Sequence, residues 1–307
     1  MDGIFFLLIA FSTVIASIKL SYYADALSKQ TKIGTAFIGG LLVASITSIP
    51  EFVTSISAVI LDNPTLSFGD IIGSNMFNIF VLSVYNIYFF KNNVFKNASK
   101  RHLIECIILL IDYIFIILGT YSIFINYISI ILFIMYVFYM IYVLLSNNNE
   151  EDIDIKEEKY IILKFTLTAI TLIILSIFLT YQANKISIDY PNFSSSSIGA
   201  ILLGITTSLP EVVTTFELIK LNNYNMAISN MLGSNIFNFL VLSFSDIFIK
   251  VNHIFEYSDI YSLYYLLGGI LITILLSFTF INNKKNSIII SIIIIISYLY
   301  VWYLQFS

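Results

Sequence analysis

Apolar runs of about 18 residues or more recur along this whole chain of 307 residues, and nothing else in it limits the fold so strongly. Wound as an α-helix, such a run crosses the ~30 Å hydrocarbon core of a bilayer. Hydrophobic residues make up 58% of the chain and charged ones 11%, where a soluble domain carries roughly a quarter charged. With a mean hydropathy of +0.91, an ordinary soluble globule is excluded. A membrane β-barrel is excluded too, because its strands alternate polar and apolar residues over short segments and these Ile/Leu/Phe runs do not. The expected class is an all-α, multi-pass membrane protein.

Charge and turn clusters cut the chain into about ten spans, near 3–21, 34–61, 67–90, 102–119, 124–145, 160–182, 195–220, 226–249, 259–281 and 287–305. The most polar stretch, 146–159, falls at the midpoint and reads as a solvated acidic linker between two five-helix halves, 1–145 and 160–307. A calcium-binding loop there lacks EF-hand spacing and a glycine turn. Met1 and Asp2 precede the first run without a basic region, so no signal peptide is expected. Cys106 alone can form neither an intramolecular disulfide nor a multi-cysteine metal site.

Lys and Arg in the connections set the orientation. With ten spans, one side receives Lys19, Lys29, Lys32, Lys91, Lys96, Lys100, Arg101, Lys156, Lys159, Lys164, Lys220, Lys284 and Lys285, and the other only Lys185 and Lys250. The first side is therefore cytoplasmic, the linker included, and both termini lie outside, most simply in the cell membrane.

Two places break the apolar monotony. Residues 39–90 and 199–250, laid over one another at a constant offset of 160, match at 19 of 52 positions without a gap. The matches include Thr47-Ser48-x-Pro50-Glu51 with Thr207-Ser208-x-Pro210-Glu211, and Gly73-Ser-Asn-x-Phe-Asn78 with Gly233-Ser-Asn-x-Phe-Asn238. Five spans separate the copies, an odd number, so the second copy has the opposite orientation. Inverted-topology repeats of this kind are the sequence signature of many secondary transporters.

The repeated residues point to a cation. Proline removes a backbone donor and clashes with the preceding turn, so each Thr-Ser-x-Pro should interrupt its helix and free carbonyls near Ala44 and Gly204. Free carbonyls at membrane depth persist where they line a wet cavity or hold an ion. Glu51 and Glu211 follow directly after the breaks. A carboxylate at that depth costs about 2.5–3.5 kcal/mol, most simply offset by a bound cation. Ser74 with Asn78, and Ser234 with Asn238, are four apart and share a helix face. Their hydroxyl and amide oxygens suit hard cations such as Na⁺ and Ca²⁺. Gly73 and Gly233 allow a neighbouring helix to approach closely.

These two motifs resemble the α-repeats of the sodium/calcium exchangers in the calcium/cation antiporter superfamily. The resemblance covers both repeats, about a third of the chain, and ten spans with an outside N-terminus are similar to prokaryotic members. It implies that Glu51 and Glu211 are the central carboxylates shared by Ca²⁺ and Na⁺. Thr47 and Thr207 would supply backbone carbonyls beside them. Ser48, Ser74, Ser208 and Ser234, with the carbonyls of Ala44 and Gly204, would hold flanking Na⁺, and Asn78 and Asn238 would form the polar pair at the middle. The family's usual glycine before the Thr is Ile46 in one repeat and Thr206 in the other. Position 238 is Asn where K⁺-dependent exchangers carry Asp, which implies K⁺-independent exchange. The resemblance also suggests three Na⁺ per Ca²⁺ and hence electrogenic exchange, with no cofactor beyond the transported ions.

Asp70 lies one turn before Ser74, toward the outside, where it could attract cations at the mouth of the pathway; its counterpart is Asn230. Asp112, Glu217 and Asp246 read as interfacial or packed acids, and His102 and His253 lie in or beside loops without support for a two-His metal site. The nearest rival to Ca²⁺/Na⁺ exchange is a Ca²⁺/H⁺ exchanger on the same scaffold, though serine-rich flanking sites are not needed for protons. A channel does not explain the inverted repeat, and an intramembrane enzyme lacks a nucleophile–base pair.

Overall fold

The computed structural model describes residues 2–31, 46–90, 94–95, 98–146, 160–281 and 284–305, and no strand occurs among them. The helices are α1 (Asp2–Thr31), α2 (Ile49–Ile60), α3 (Pro64–Tyr88), α4 (His102–Thr120), α5 (Ile125–Ser146), α6 (Ile161–Asp189), α7 (Ser195–Thr207), α8 (Leu209–Lys220), α9 (Tyr224–Ile247), α10 (Ile260–Thr279) and α11 (Lys284–Tyr303). Eight are long and apolar enough to cross a membrane, and α7 with α8, bent by 42° at Ser208, passes the same test as a pair. α2 is shorter, and residues 32–45 before it, which include Ala44, lie outside the described residues, as does most of the acidic linker.

Most helices fall within a few residues of the expected spans, but α1 and α6 do not. They run to Thr31 and Asp189, 30 and 29 residues long. At 1.5 Å per residue each is about 45 Å, well beyond the ~30 Å core. Lys19, Lys29, Lys164 and Lys185, expected in connections, therefore sit inside helices. Long aliphatic stems let such lysines reach polar surroundings from a helix end, and Lys164 lies over the Tyr23 ring at 5.9 Å from its centroid.

α3 and α9 are the most buried helices and pack against one another, while α5 and α6 are the least buried. α2, α10 and α11 pack on α3, α4 and α5 on α9, and α1 lies along α6. Phe133, Ile134 and Phe138 of α5 and Ile170, Ile174 and Phe178 of α6 point outward. Such a surface suits lipid, since in a bilayer apolar side chains gain nothing by turning inward.

The entrances to α3 and α9 are built alike. Asp62 and Asn222 take positive φ of 57° and 60°. Short polar side chains tolerate that region best. Asn63 and Asn223 then cap the helices, accepting from Leu66 N at 3.2 Å and Met226 N at 3.3 Å.

The crossing of α3 with α7 brings backbone against backbone. A Cβ on Gly69 would strike the Ser196 backbone, one on Gly73 would strike Ala200, and one on Gly204 would lie 2.8 Å from Ser74 N. Small residues permit such contact between membrane helices. We expect Gly73→Ala to lower the stability of the detergent-solubilised protein by about 1–3 kcal/mol, the usual penalty of overpacking. Thermal unfolding followed by size-exclusion chromatography checks this, and an unchanged midpoint would show that the crossing yields freely.

Candidate cation-binding site

The breaks before Glu51 and Glu211 follow from proline. Pro210 has no N–H to give the Thr206 carbonyl four residues back. The Ser208 N–H bonds Thr206 O instead, α7 ends, and α8 starts with Pro210 in its first turn and Glu211 just after. A π-helical turn, Gly199–Leu203, precedes the break. Such bulges recur at functional positions. The Gly204 carbonyl, expected to be free, accepts the Ser74 hydroxyl at 3.2 Å, a bond the glycine crossing makes reachable. Ser48, at φ −87° and ψ 11°, matches Ser208 at −82° and −3°, and Pro50 and Glu51 open α2 in the same way.

Each serine then reaches across to the other copy's glutamate. Ser48 Oγ donates to Glu211 Oε1 at 2.9 Å and Ser208 Oγ donates to Glu51 Oε1 at 3.1 Å. Ser234 Oγ donates to Glu211 Oε1 at 3.2 Å and also meets Ser48 Oγ. Glu51, Glu211, Thr47, Thr207, Ser48, Ser208, Ser74, Ser234, Asn78 and Asn238 are all fully buried. The Thr207 hydroxyl is turned onto Leu203 O at 2.9 Å, which suits a residue expected to act through its main chain.

Four asparagines join α3 to α9 at this level. Asn78 Nδ2 donates to Asn235 Oδ1 at 2.9 Å, and Asn238 Nδ2 donates to Asn75 Oδ1 at 3.0 Å. Asn75 Nδ2 donates to the Asn235 carbonyl at 3.1 Å and Asn235 Nδ2 to the Asn75 carbonyl at 3.0 Å. Sequence reasoning gave Asn75 and Asn235 no role. The usable signal was their spacing, three before Asn78 and Asn238 on the same helix face, present in both copies.

After these bonds, Glu51 Oε2, Glu211 Oε2, Asn78 Oδ1 and Asn238 Oδ1 accept from no donor among the described residues. Buried acceptors are nearly always satisfied, and an unsatisfied one costs about 1–3 kcal/mol or more when charged. Two carboxylate and two amide oxygens in mirrored positions make the donor set of a hard cation. Among the described residues no group of three or more His, Cys, Asp or Glu could hold a metal, so any cation here relies on neutral oxygens as well as acids.

Asp70, expected toward the mouth of the pathway, is fully buried. Thr54 Oγ1 donates to its Oδ2 at 2.6 Å, and Oδ1 has no donor among the described residues. Its counterpart Asn230 bonds Thr215 Oγ1 at 3.0 Å. Glu217 pairs with Lys220 at 3.1 Å on the surface, and Asp112 is buried in α4. Asp246 holds His253, Ser129 and Ile254 N at 3.0, 2.7 and 2.7 Å. His102 bonds Glu105 at 2.8 Å. Asp70 and Asn230 border the central group, since Thr54 Oγ1 also donates to the Glu51 carbonyl at 3.1 Å and Asn230 Nδ2 to the Glu211 carbonyl at 3.4 Å, whereas Glu217, Asp246 and His102 make their bonds elsewhere.

The chain matches the sodium/calcium exchanger protein family over residues 3–144 and 160–307. It is 22% identical over 240 residues, 73% of this chain and 72% of the relative, to the inner membrane protein YrbG of Escherichia coli K12. Among solved structures, the sodium-calcium exchanger NCX_Mj superposes with a TM-score of 0.63 at 19% identity, covering 97% of each chain. The H⁺/Ca²⁺ exchanger CAX superposes at 0.68 with 14% identity, covering 97% of this chain and 87% of that one. With almost its whole length matched, the chain belongs to the sodium/calcium exchanger family and is a multi-pass membrane cation antiporter.

Proposed function

We propose that the chain exchanges Ca²⁺ for Na⁺ by alternating access, with Glu51 and Glu211 as the shared carboxylates and Asn78 and Asn238 completing the centre. The observation that carries this reading is the set of four buried oxygens left without donors between α2, α3, α8 and α9. Thr47 and Thr207 would add main-chain carbonyls to that centre. Ser48, Ser74, Ser208 and Ser234, with the carbonyls of Gly204 and of Ala44, which lies outside the described residues, would hold the flanking Na⁺; the contacts group the serines across the copies, Ser48 with Ser234 and Ser74 with the Gly204 carbonyl, rather than Ser48 with Ser74. The serine hydroxyls that now hold Oε1 of each glutamate can rotate their oxygen toward an arriving ion. The architecture that fits is ten spans in two inverted halves, 1–145 and 160–307, with 146–159 cytoplasmic and both termini outside. The shared 160-residue offset, the like geometry of Asp62 with Asn222, and the lysine bias support it.

A second reading, Ca²⁺/H⁺ exchange, draws support from the fold shared with CAX. In that case the glutamates would carry protons back and the flanking serines would have no ion to bind.

Gln at 51 or 211 keeps size and removes the charge a divalent ion needs. We expect Glu51→Gln and Glu211→Gln each to abolish ⁴⁵Ca²⁺ uptake into proteoliposomes while the protein remains folded; near-normal uptake by either would sink the assignment. Loading the vesicles with Na⁺, with K⁺ or with a pH gradient separates the two readings, and exchange driven by Na⁺ alone, without K⁺, is expected.

With both carboxylates ionised, one Ca²⁺ neutralises the centre and three Na⁺ leave it at +1. Each cycle then moves about one net charge, worth about 2.3 kcal/mol per 100 mV. Three Na⁺ entering against one Ca²⁺ leaving bring one positive charge inward, so an inside-negative potential should favour Ca²⁺ extrusion. Clamping the potential with valinomycin and K⁺ tests this. Flux indifferent to the clamp would mean two Na⁺ per Ca²⁺.

A further inference from the structure

We infer that Asn75 and Asn235 are positioning residues that lock the amides of Asn238 and Asn78 with oxygen, not nitrogen, toward the cation. The inference rests on the reading of this site as cation-binding. An asparagine amide is nearly symmetric in shape but opposite in polarity at its two ends: the oxygen only accepts and the NH₂ only donates. A side-chain half-turn would put N–H groups against a cation, or onto the glutamates, where they would occupy the oxygens the cation needs.

The hydrogen bonds leave no freedom for that half-turn. A backbone carbonyl can only accept, so the amide end of Asn75 that meets the Asn235 carbonyl, at 3.1 Å, must be its NH₂. The other end of Asn75 is then an oxygen, and Asn238, at 3.0 Å from it, must offer its NH₂. The Asn238 oxygen is thereby turned away from Asn75. The mirror chain runs from the Asn75 carbonyl through Asn235, at 3.0 Å, to Asn78, at 2.9 Å. In keeping with this, Asn78 Oδ1 and Asn238 Oδ1 are the two amide oxygens of the group that accept from no donor among the described residues. Asn75 and Asn235 are themselves fully buried, so water does not compete for these bonds. The pairing is crossed: Asn75 on α3 fixes Asn238 on α9, and Asn235 on α9 fixes Asn78 on α3.

Crossing gives a test that packing alone would not pass. Asn75→Leu keeps approximate volume and frees Asn238 to turn. It should raise the half-saturating Ca²⁺ concentration about tenfold or more, a factor equal to about 1.4 kcal/mol, with less effect on the maximal rate. A carboxylate presents oxygen whichever way it turns. Adding Asn238→Asp should therefore restore Ca²⁺ affinity to Asn75→Leu, whereas adding Asn78→Asp should not. For Asn235→Leu the rescuer should be Asn78→Asp and not Asn238→Asp. Equilibrium ⁴⁵Ca²⁺ binding to the purified full-length protein, with ⁴⁵Ca²⁺ uptake into proteoliposomes, reads both quantities. Asn75→Ser, too short to reach Asn238, replaces the leucine variant if that one does not accumulate. Unchanged affinity in the single variants, or rescue equal from both aspartates, or from neither in a folded protein, overturns the inference. The underlying reading fails differently: wild type would then bind no Ca²⁺, or Glu51→Gln would bind it normally.

Discussion

Where α3 crosses α7, Gly69 and Gly73 lie so close to Ser196 and Ala200 that no methyl group fits between the backbones. The arrangement at the centre depends on that contact. It lets the Ser74 hydroxyl reach the Gly204 carbonyl at 3.2 Å, one turn above the break that frees α8 to change direction. With the break in place, Glu211 points into the bundle and meets Ser48 and Ser234. Were the helices held at an ordinary 8–10 Å axis separation, the hydroxyl would fall short and the carbonyl would stand bare in a medium without water.

Much of this was legible in the sequence because the membrane punishes exceptions. A proline, a glutamate and two hydroxyls in an apolar run have few tolerable explanations, and both copies carried all of them. The helix breaks at Ser48 and Ser208 follow from residue types alone; the crossed bonds of Ser48 to Glu211 and Ser208 to Glu51 do not, since motif spacing groups the serines within each copy. The roles of Asn75 and Asn235 did not, because an amide's task depends on which group faces it, and spacing along one helix says nothing of the opposite one. The π turn at Gly199–Leu203 left no mark in composition. Nor did the lengths of α1 and α6, whose helices continue past the point where apolar residues end. The burial of Asp70 was not legible either, because position along α3 does not show that Thr54 of α2 and the backbone of Gly199 in α7 lie against it.

Asp70 also marks where the two copies part company. Across the pseudo-equivalent pair, an acid held by Thr54 stands opposite an amide, Asn230, held by Thr215. The surroundings are of the same kind, but an acid that can hold or release a proton stands where the other copy has an amide that cannot. The two copies, alike in the oxygens at the centre, therefore differ in the titratable group set beside it.

The crossed bonds between the copies have a consequence for how the protein is made. Ser208, which holds Glu51, follows it by 157 residues, and the same interval separates Asn78 from Asn235. At translation speeds of roughly 5–20 residues per second, Glu51 waits about eight to thirty seconds in or near the bilayer before its hydroxyl donor is synthesised. During that interval the first half holds an acid with no donor from the second, and is best kept at the insertion machinery or in its proton-bearing form. The crossed hydrogen-bond network is thus among the last features of the molecule to come into being, and a ribosome stalled midway would leave behind a half that cannot complete it.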